Sequence, residues 1–436
     1  MRPAPRSRFL ARVGARLASS AFARGSMWTI AGNGAGHLVV VATAPWLSRL
    51  YTPADYGAYG AFLAVLMMVV SVAGLRYEIA VPVPTSEAVA ARLAVVALGA
   101  VLVTAVLAGV VAAALGWSPG GLPPGATGAW LALGIVGVGG YQVLASWSAR
   151  ARAYRVLSLS RIARSTTQVG LQVLAGYAGW GGFGLVVGHV AGSAAGVVRM
   201  ARSLGAAVRS VPITWATLAS AAATYWRFPA FSAPSGLLNS AGNQAPLLVI
   251  LAAFGPEVAG GFAFAQRVVA APVTVVGYAV GQVFVGEFGA LVRTRSPAAL
   301  RLYGRTLVRL FALGSVPIAG LALVAPAAFG WVFGPAWVEA GHFVRVLAPM
   351  LLVQFAVVPV SSVLNLLERT RAQLAYDAIR FALGVGSMAL WIGGGAAPLT
   401  TVAVYAAGMT VAYVLNALFG YLILRGELTH GARPDR

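Results

Sequence analysis

The fold class the sequence predicts is an all-α polytopic membrane protein with about twelve transmembrane helices, and three observations predict it. Hydrophobic residues fill 59% of the 436 positions and charged residues only 9%, whereas soluble domains carry about 25% charged residues. Apolar stretches of roughly 20 residues, the length that crosses a hydrocarbon core of about 30 Å, recur along the whole chain. Between them arginine alternates. The segments holding Arg76 and Arg92, Arg150 to Arg164, Arg199 to Arg227, Arg293 to Arg309 and Arg369 to Arg380 are basic, while the connections 116–128, 178–184, 255–261 and 393–397 hold no basic residue. Short basic loops stay on the cytoplasmic side, so the chain crosses an even number of times with both termini inside.

The candidate spans are 26–47, 57–79, 89–116, 128–148, 163–181, 183–201, 230–253, 260–284, 304–329, 343–366, 372–393 and 398–424. Ala42-Thr43-Ala44 imitates a signal-peptide cleavage site, but the apolar region is too long and Pro45 follows the cut, so the segment reads as the first span. The fifth and sixth spans are divided only by Ala178-Gly179-Trp180-Gly181-Gly182. Fusing them would place the next basic segment outside, which favours two helices. Trp28, Trp117, Trp130, Trp147, Trp180, Trp226, Trp331 and Trp337 fall near span ends, as an interfacial belt requires.

Before the first span, Phe9, Val13 and Leu17 recur beside Arg8, Arg12 and Arg16. This is either an amphipathic helix on the anionic phospholipid of the inner leaflet or a disordered basic tail. A weak internal repeat joins the two halves. Tyr51-Thr52-Pro53-Ala54-Asp55-Tyr56-Gly57-Ala58-Tyr59 follows the first span and Phe254-Gly255-Pro256-Glu257-Val258-Ala259-Gly260-Gly261-Phe262 follows the seventh. The organisation that results is a basic segment 1–25, a first six-helix lobe 26–201, a linker 202–229, a second six-helix lobe 230–425 and a tail 426–436, the lobes being related by an axis along the membrane normal.

Composition excludes whole classes of chemistry. All 31 basic residues are Arg and there is no Cys, which removes disulfides, thiolate ligands, Walker A loops and Schiff-base lysines. The net charge of +21 serves orientation, and no nucleic-acid partner is expected. The ten acids and four His are scattered. No catalytic constellation, metal site or cofactor motif emerges, and the short outer connections leave no room for a catalytic domain there.

Polar groups inside spans are what remains, because each costs free energy unless it faces protein or water. Arg267 lies inside span eight beside Gln266, with no acid three or four positions away; it either binds an anion in a hydrated cavity or snorkels to the interface. Arg76 and Glu78 end span two, and two residues apart on a helix they should point in different directions. Arg49 and Arg345 break the inside rule, Asp55 being available to offset Arg49 and Arg345 being placed to snorkel. Asn33 and His37 in span one, and Asn239, Asn243 and Gln244 in span seven, could face each other across a cleft or merely bond helices together. Gln282 in span eight is of the same kind, as are Gln168, Gln172 and Gln354. Gly188, Gly192 and Gly196 permit close helix packing. Pro234, Pro246, Pro272, Pro317 and Pro359 should bend the helices of the second lobe.

Leu50-Tyr51-Thr52-Pro53-Ala54-Asp55-Tyr56-Gly57-Ala58-Tyr59, Leu75-Arg76-Tyr77-Glu78, Arg267 with Pro272 and Gly281-Gln282-Val283-Phe284, and Phe333-Gly334-Pro335-Ala336-Trp337-Val338-Glu339-Ala340-Gly341 followed by Leu347-Ala348-Pro349, run in the order in which the chain resembles the O-antigen and polysaccharide flippases of the multidrug/oligosaccharidyl-lipid/polysaccharide exporter superfamily. The resemblance spans about residues 24–425. It implies two six-helix lobes around a central V-shaped cleft, a bacterial inner-membrane location and transport rather than catalysis. The implied cargo is an undecaprenyl-diphosphate-linked oligosaccharide, carried from the inner to the outer leaflet, and other polysaccharide-assembly membrane proteins are expected partners. Arg76, Glu78 and Arg267 are carried over as motif residues, with Glu78 and Asp377 as acids for ion coupling. The alternatives are a drug or metabolite exporter of the same fold, or a membrane-embedded glycan polymerase or ligase.

Overall fold

A computed structural model describes residues 36, 39–119, 126–294, 296–367 and 369–430. Among these there is no strand. The helices run in the order α1 (Ala44–Leu50), α2 (Pro53–Ala73), α3 (Tyr77–Ala80), α4 (Glu87–Ala114), α5 (Thr127–Arg150), α6 (Tyr154–Tyr177), α7 (Gly181–Arg209), α8 (Trp215–Thr224), α9 (Ala233–Arg293), α10 (Ala298–Phe333), α11 (Val338–Val357), α12 (Thr370–Phe381), α13 (Ser387–Gly393) and α14 (Pro398–His430). Eight helical segments among the described residues are long and apolar enough to cross a membrane. The other expected spans are accounted for locally. Most of the first lies outside the described residues. The fifth is α6, whose Arg155, Arg161 and Arg164 make it amphipathic. The seventh and eighth are the two limbs of α9, separated at Gly255, whose φ of 83° and ψ of 177° interrupt the helix. The eleventh is α12 and α13 joined by a π turn over Ala382–Gly386.

Local chemistry sets these boundaries. Pro53 opens α2 behind a capping box, in which the Thr52 side chain accepts from the Asp55 amide and the Asp55 carboxylate accepts from the Thr52 amide. Asp55 also accepts from the Gly182 amide at 2.7 Å, tying α2 to the start of α7. This engagement, rather than an offset of Arg49, is what the carboxylate does. The turn between α6 and α7 uses positive φ at Gly179 and Gly181, and the two spans are separate helices as the charge pattern requires. Gly188, Gly192 and Gly196 let α6 lie directly against α7: a Cβ at Gly188 or Gly192 would come within 2.8 Å of the carbonyl of Gln168 or Arg164.

The repeated turn has a physical meaning that its sequence did not disclose. A Cβ at Gly57 would collide with the Pro256 carbonyl, and a Cβ at Gly260 would collide with the Pro53 carbonyl. The two Pro-x-x-x-Gly units therefore clasp each other reciprocally where α2 crosses the second limb of α9, the most extensive contact between the two halves. Beside this clasp, Ser48 donates to the Phe333 carbonyl at 3.0 Å and the Trp337 indole donates to the Ser48 carbonyl at 3.0 Å. An aromatic plug completes the closure, with Phe264 4.1 Å from Trp337 and 5.0 Å from Phe333, and Tyr56 5.2 Å from Trp337 between ring centroids. The Arg-poor end of the molecule is thus sealed by backbone-to-backbone packing and rings. Of the prolines expected to bend helices, Pro359 sits in a 3-10 turn at Val358–Val360, whereas Pro246, Pro272 and Pro317 lie inside α9 and α10, where the non-helical backbone is at Gly255.

Alanine at Gly57 or Gly260 should prise this end apart, because the opposing backbone carbonyl cannot rotate away. Overpacking costs about 1–3 kcal/mol, so labelling of a cysteine placed at the buried Ala340 should rise roughly tenfold. Alanine at Gly99, which has nothing within 4 Å, serves as the comparison and should leave labelling unchanged.

Candidate functional site

Two arginines face aromatic rings deep in the bundle, one from each half. Arg267 lies on the second limb of α9, ~16 Å beyond Pro256 at 1.5 Å per residue. Its guanidinium carbon sits 5.8 Å from the Tyr59 ring centroid and 6.0 Å from that of Tyr56. Arg164 lies ~15 Å from the start of α6, with its guanidinium carbon 5.1 Å above the ring of Tyr141. Between them is His189 of α7, buried, whose Nδ1 is 3.3 Å from the Tyr59 hydroxyl. His189 lies in the field of both arginines. The Gly192 contact described above fixes this geometry by pressing the Arg164 turn of α6 onto α7.

The site is cationic without compensation. Neither Arg164 nor Arg267 makes an ion pair with a described residue. A cation–π contact contributes about 0.5–2 kcal/mol, whereas an arginine at a helix centre in the membrane costs about 2.5–3.5 kcal/mol. Two such residues around one buried histidine therefore leave a net demand for water or an anion. The His189 Nε2 and the Tyr141 hydroxyl are buried without hydrogen-bond partners, adding polar capacity beside the cations.

Arg267 was legible in the sequence as an unpaired cation. Arg164, His189 and Tyr141 were not singled out, since Arg164 was counted among the orienting arginines. A signal existed: Arg164, Gln168 and Gln172 recur every four residues and line one face of α6. Gln168 and Gln172 are buried, and Gln172 donates to the Leu185 carbonyl at 2.9 Å.

The remaining candidates occupy other places. Arg76 lies at the Arg-rich end, where α2 has already ended at Ala73 and Leu75 and Arg76 take φ of 50° and 61°. Because the two residues are not on one helix, Arg76 and Glu78 do approach, at 3.9 Å, contrary to the helical expectation. The Arg76 guanidinium reaches across to Gly236 of α9, where a Cβ would overlap it. Arg49 is exposed in the last turn of α1. Asn33 and His37 lie outside the described residues, as does the side chain of Gln282. Asn239 and Asn243 bond to each other and to Arg380, which donates to the Asn239 carbonyl at 3.2 Å and the Asn243 side-chain oxygen at 3.4 Å. Gln266 bonds to Tyr405, and Gln244 is half-buried on the first limb of α9. Asp377 is buried on α12, accepting from Gln373 at 3.2 Å with its other oxygen unpartnered. Arg345, placed by its sequence to snorkel, is exposed on α11. It donates to the carbonyls of Ala322 and Leu323, both at 3.1 Å, and the first of these is the acceptor that Pro326, lacking an N–H, leaves free in α10.

The fold is similar to that of solved transporters of the MOP superfamily. A multidrug-resistance MATE-family transporter of that superfamily, in an inward-facing conformation, matches with 16% identity and a TM-score of 0.68, covering 91% of this chain and 96% of the other. A MATE protein in complex with MaL6 matches with 16% identity and a TM-score of 0.62 over 93% and 96% of the two chains. A MOP-superfamily transporter from Pyrococcus furiosus, described by the reverse polarity of its binding pocket, matches with 18% identity and a TM-score of 0.61 over 92% and 96%. No functionally curated protein matches the sequence. Residues 46–342 match the family described as polysaccharide biosynthesis protein, and the chain belongs to that family.

Replacing Arg345 by Leu should lower stability by about 1.5–3 kcal/mol, the range for hydrogen bonds made by a charged group. The loss should shrink when Pro326 is also changed to Ala, because residue 326 then supplies the missing N–H. Thermal unfolding of the four variants of this cycle measures the coupling.

Proposed function

We propose that the protein is a flippase for a lipid-linked oligosaccharide carried on undecaprenyl diphosphate, moving it by alternating access from the cytoplasmic to the outer leaflet of the bacterial inner membrane. The basic end is cytoplasmic in this reading. One observation carries it: two arginines without acidic partners, Arg164 from the first half and Arg267 from the second, stand at mid-height among tyrosines and a histidine. A diphosphate needs cationic, hydrogen-bonding company, and guanidinium is a planar fork of donors suited to it. The tyrosine and histidine groups suit a hydroxyl-rich glycan. A cationic drug would meet like charge here, which argues against drug export.

The cargo's anion can bind between the halves because each contributes one cation. Arg76, beside the α2–α9 boundary at the basic end, is placed to meet the headgroup first. Exporting negative charge from a negative-inside cell runs downhill by about 2.3 kcal/mol per charge per 100 mV, so the membrane potential suffices as a driving force. The buried acids Glu78 and Asp377 are the residues available to a coupling ion.

Changing Arg164 or Arg267 to Gln should reduce glycan export in cells by at least about tenfold, the loss of one charge-assisted phosphate contact of 1.5–3 kcal/mol. Lipid-linked oligosaccharide should accumulate on the inner leaflet, and Lys should restore part of the activity. Wild-type export by the Gln variants at normal protein levels would sink the proposal.

A further inference from the structure

Away from the cleft, α4, α5 and α7 enclose an apolar groove of about 440 Å³, lined by residues that include Val95, Leu102, Val136, Gly140, Leu144 and Gly205. It opens on the flank of the molecule, where Leu102 and Val136 are exposed. Its floor is unusual. Small residues on membrane helices ordinarily let neighbouring backbones approach, but a Cβ added at Gly140 or Gly205 would meet nothing within 4 Å. These two glycines hold space open instead of closing it.

The groove is apolar throughout, and cations flank it on the side of the Arg-rich end. Arg92 is one turn before Val95 on α4, and Arg209 is one turn beyond Gly205 on α7. Ser148 is one turn beyond Leu144 on α5, fully buried, with its hydroxyl unpartnered. The Arg92 Nε is likewise buried without a partner. The neighbouring Arg150 is already engaged, donating to the carbonyls of Val81, Pro82 and Thr85. Two cations without an acidic partner among the described residues thus flank the basic-side end of an apolar trough, with the buried Ser148 hydroxyl behind it. Along α5 the trough runs ~12 Å, from Val136 to Leu144, within the ~15 Å of one leaflet.

We propose that this groove is a binding site for an anionic phospholipid of the leaflet at the basic end, with one acyl chain lying over Gly140 and Gly205 and the phosphate held by Arg92 and Arg209. The leaflet assignment rests on the orientation given above; the site itself does not depend on what the cleft carries. A phosphodiester close to its chain matches cations placed directly at the groove end, whereas a long polyisoprenoid would overrun a trough confined to one leaflet. Basic pockets between membrane helices on the cytoplasmic side select anionic headgroups in this way.

Native mass spectrometry of the full chain, purified with equal phosphatidylglycerol and phosphatidylcholine, tests the site. The wild type should retain phosphatidylglycerol over phosphatidylcholine by roughly tenfold. Gly140→Leu and Gly205→Leu, which fill open space, should abolish retention while leaving the melting temperature unchanged. Arg92→Gln with Arg209→Gln should keep lipid but lose the preference. Equal retention of both lipids by the wild type, or undiminished phosphatidylglycerol in both filled variants, would overturn the proposal. So would displacement of phosphatidylglycerol by undecaprenyl phosphate at equal concentration, which would assign the groove to the isoprenoid. Export activity of the arginine variants of the cleft is a separate readout, so the two proposals fail independently.

Discussion

The carbonyls of Pro53 and Pro256 lie where the side chains of Gly260 and Gly57 would be, and the joining of the two halves depends on that exchange. Proline at the first position of each helix costs no hydrogen bond, since that N–H would be free in any case. Its carbonyl is then presented to a glycine Cα across the crossing, a weak C–H···O contact whose main consequence is closeness. Everything nearby inherits this approach. The rings of Tyr56, Phe264, Phe333 and Trp337 can mesh only because the backbones beneath them touch. Arg267 is held against Tyr56 and Tyr59 for the same reason, since the clasp sets the distance between α2 and the limb that carries it.

The arginines sort by what they touch. Some reach backbone carbonyls: Arg150 spans the turn before α4, Arg345 serves the carbonyl that Pro326 leaves free in α10, and Arg380 joins α12 to α9. Carbonyls accept from a guanidinium without needing to be charged, so such contacts pin helices with few acids in the chain. Arg164 and Arg267 are different, because they face rings, both act on His189, and have no carboxylate partner among the described residues. Ring faces offset only part of the cost of desolvation. What separates a structural arginine from a binding one here is therefore its acceptor, and position along the chain does not reveal it.

That distinction explains what the sequence could and could not disclose. The helical class, the separation of α6 from α7 and the unpaired state of Arg267 follow from periodicity, loop charge and local spacing, all short-range properties. The pairing of Pro53 with Gly260 links residues about two hundred positions apart, so the repeated turn could be seen but its contact could not. Arg164 was hidden by its company: among Arg155 and Arg161 it looks like one more orienting charge, and only the depth of α6 in the bundle sets it apart. The break after Ala73 was hidden for another reason. Leu75 and Arg76 carry side chains that disfavour positive φ, so nothing in their identity marks the turn. Two adjacent residues in that region store strain of order 1–3 kcal/mol each, which the surrounding packing must outweigh.

The symmetry of the clasp and the asymmetry of the cations together limit how the cleft can work. The two Pro-Gly units are equivalent, whereas the Ser48 and Trp337 hydrogen bonds beside them have no counterpart in the opposite sense. The cations have no such equivalence: Arg164 rises from the fifth span of its half and Arg267 from the second span of the other. An anion bound to both is attracted across the junction in the closed arrangement and loses one partner when the halves move apart. Binding and closure are linked in that geometry, and a ligand shifts the equilibrium only by its difference in affinity between the two states. A neutral glycan supplies little of that difference. Under the function proposed above, the anionic link between lipid and sugar is the part of the cargo that would supply most of it.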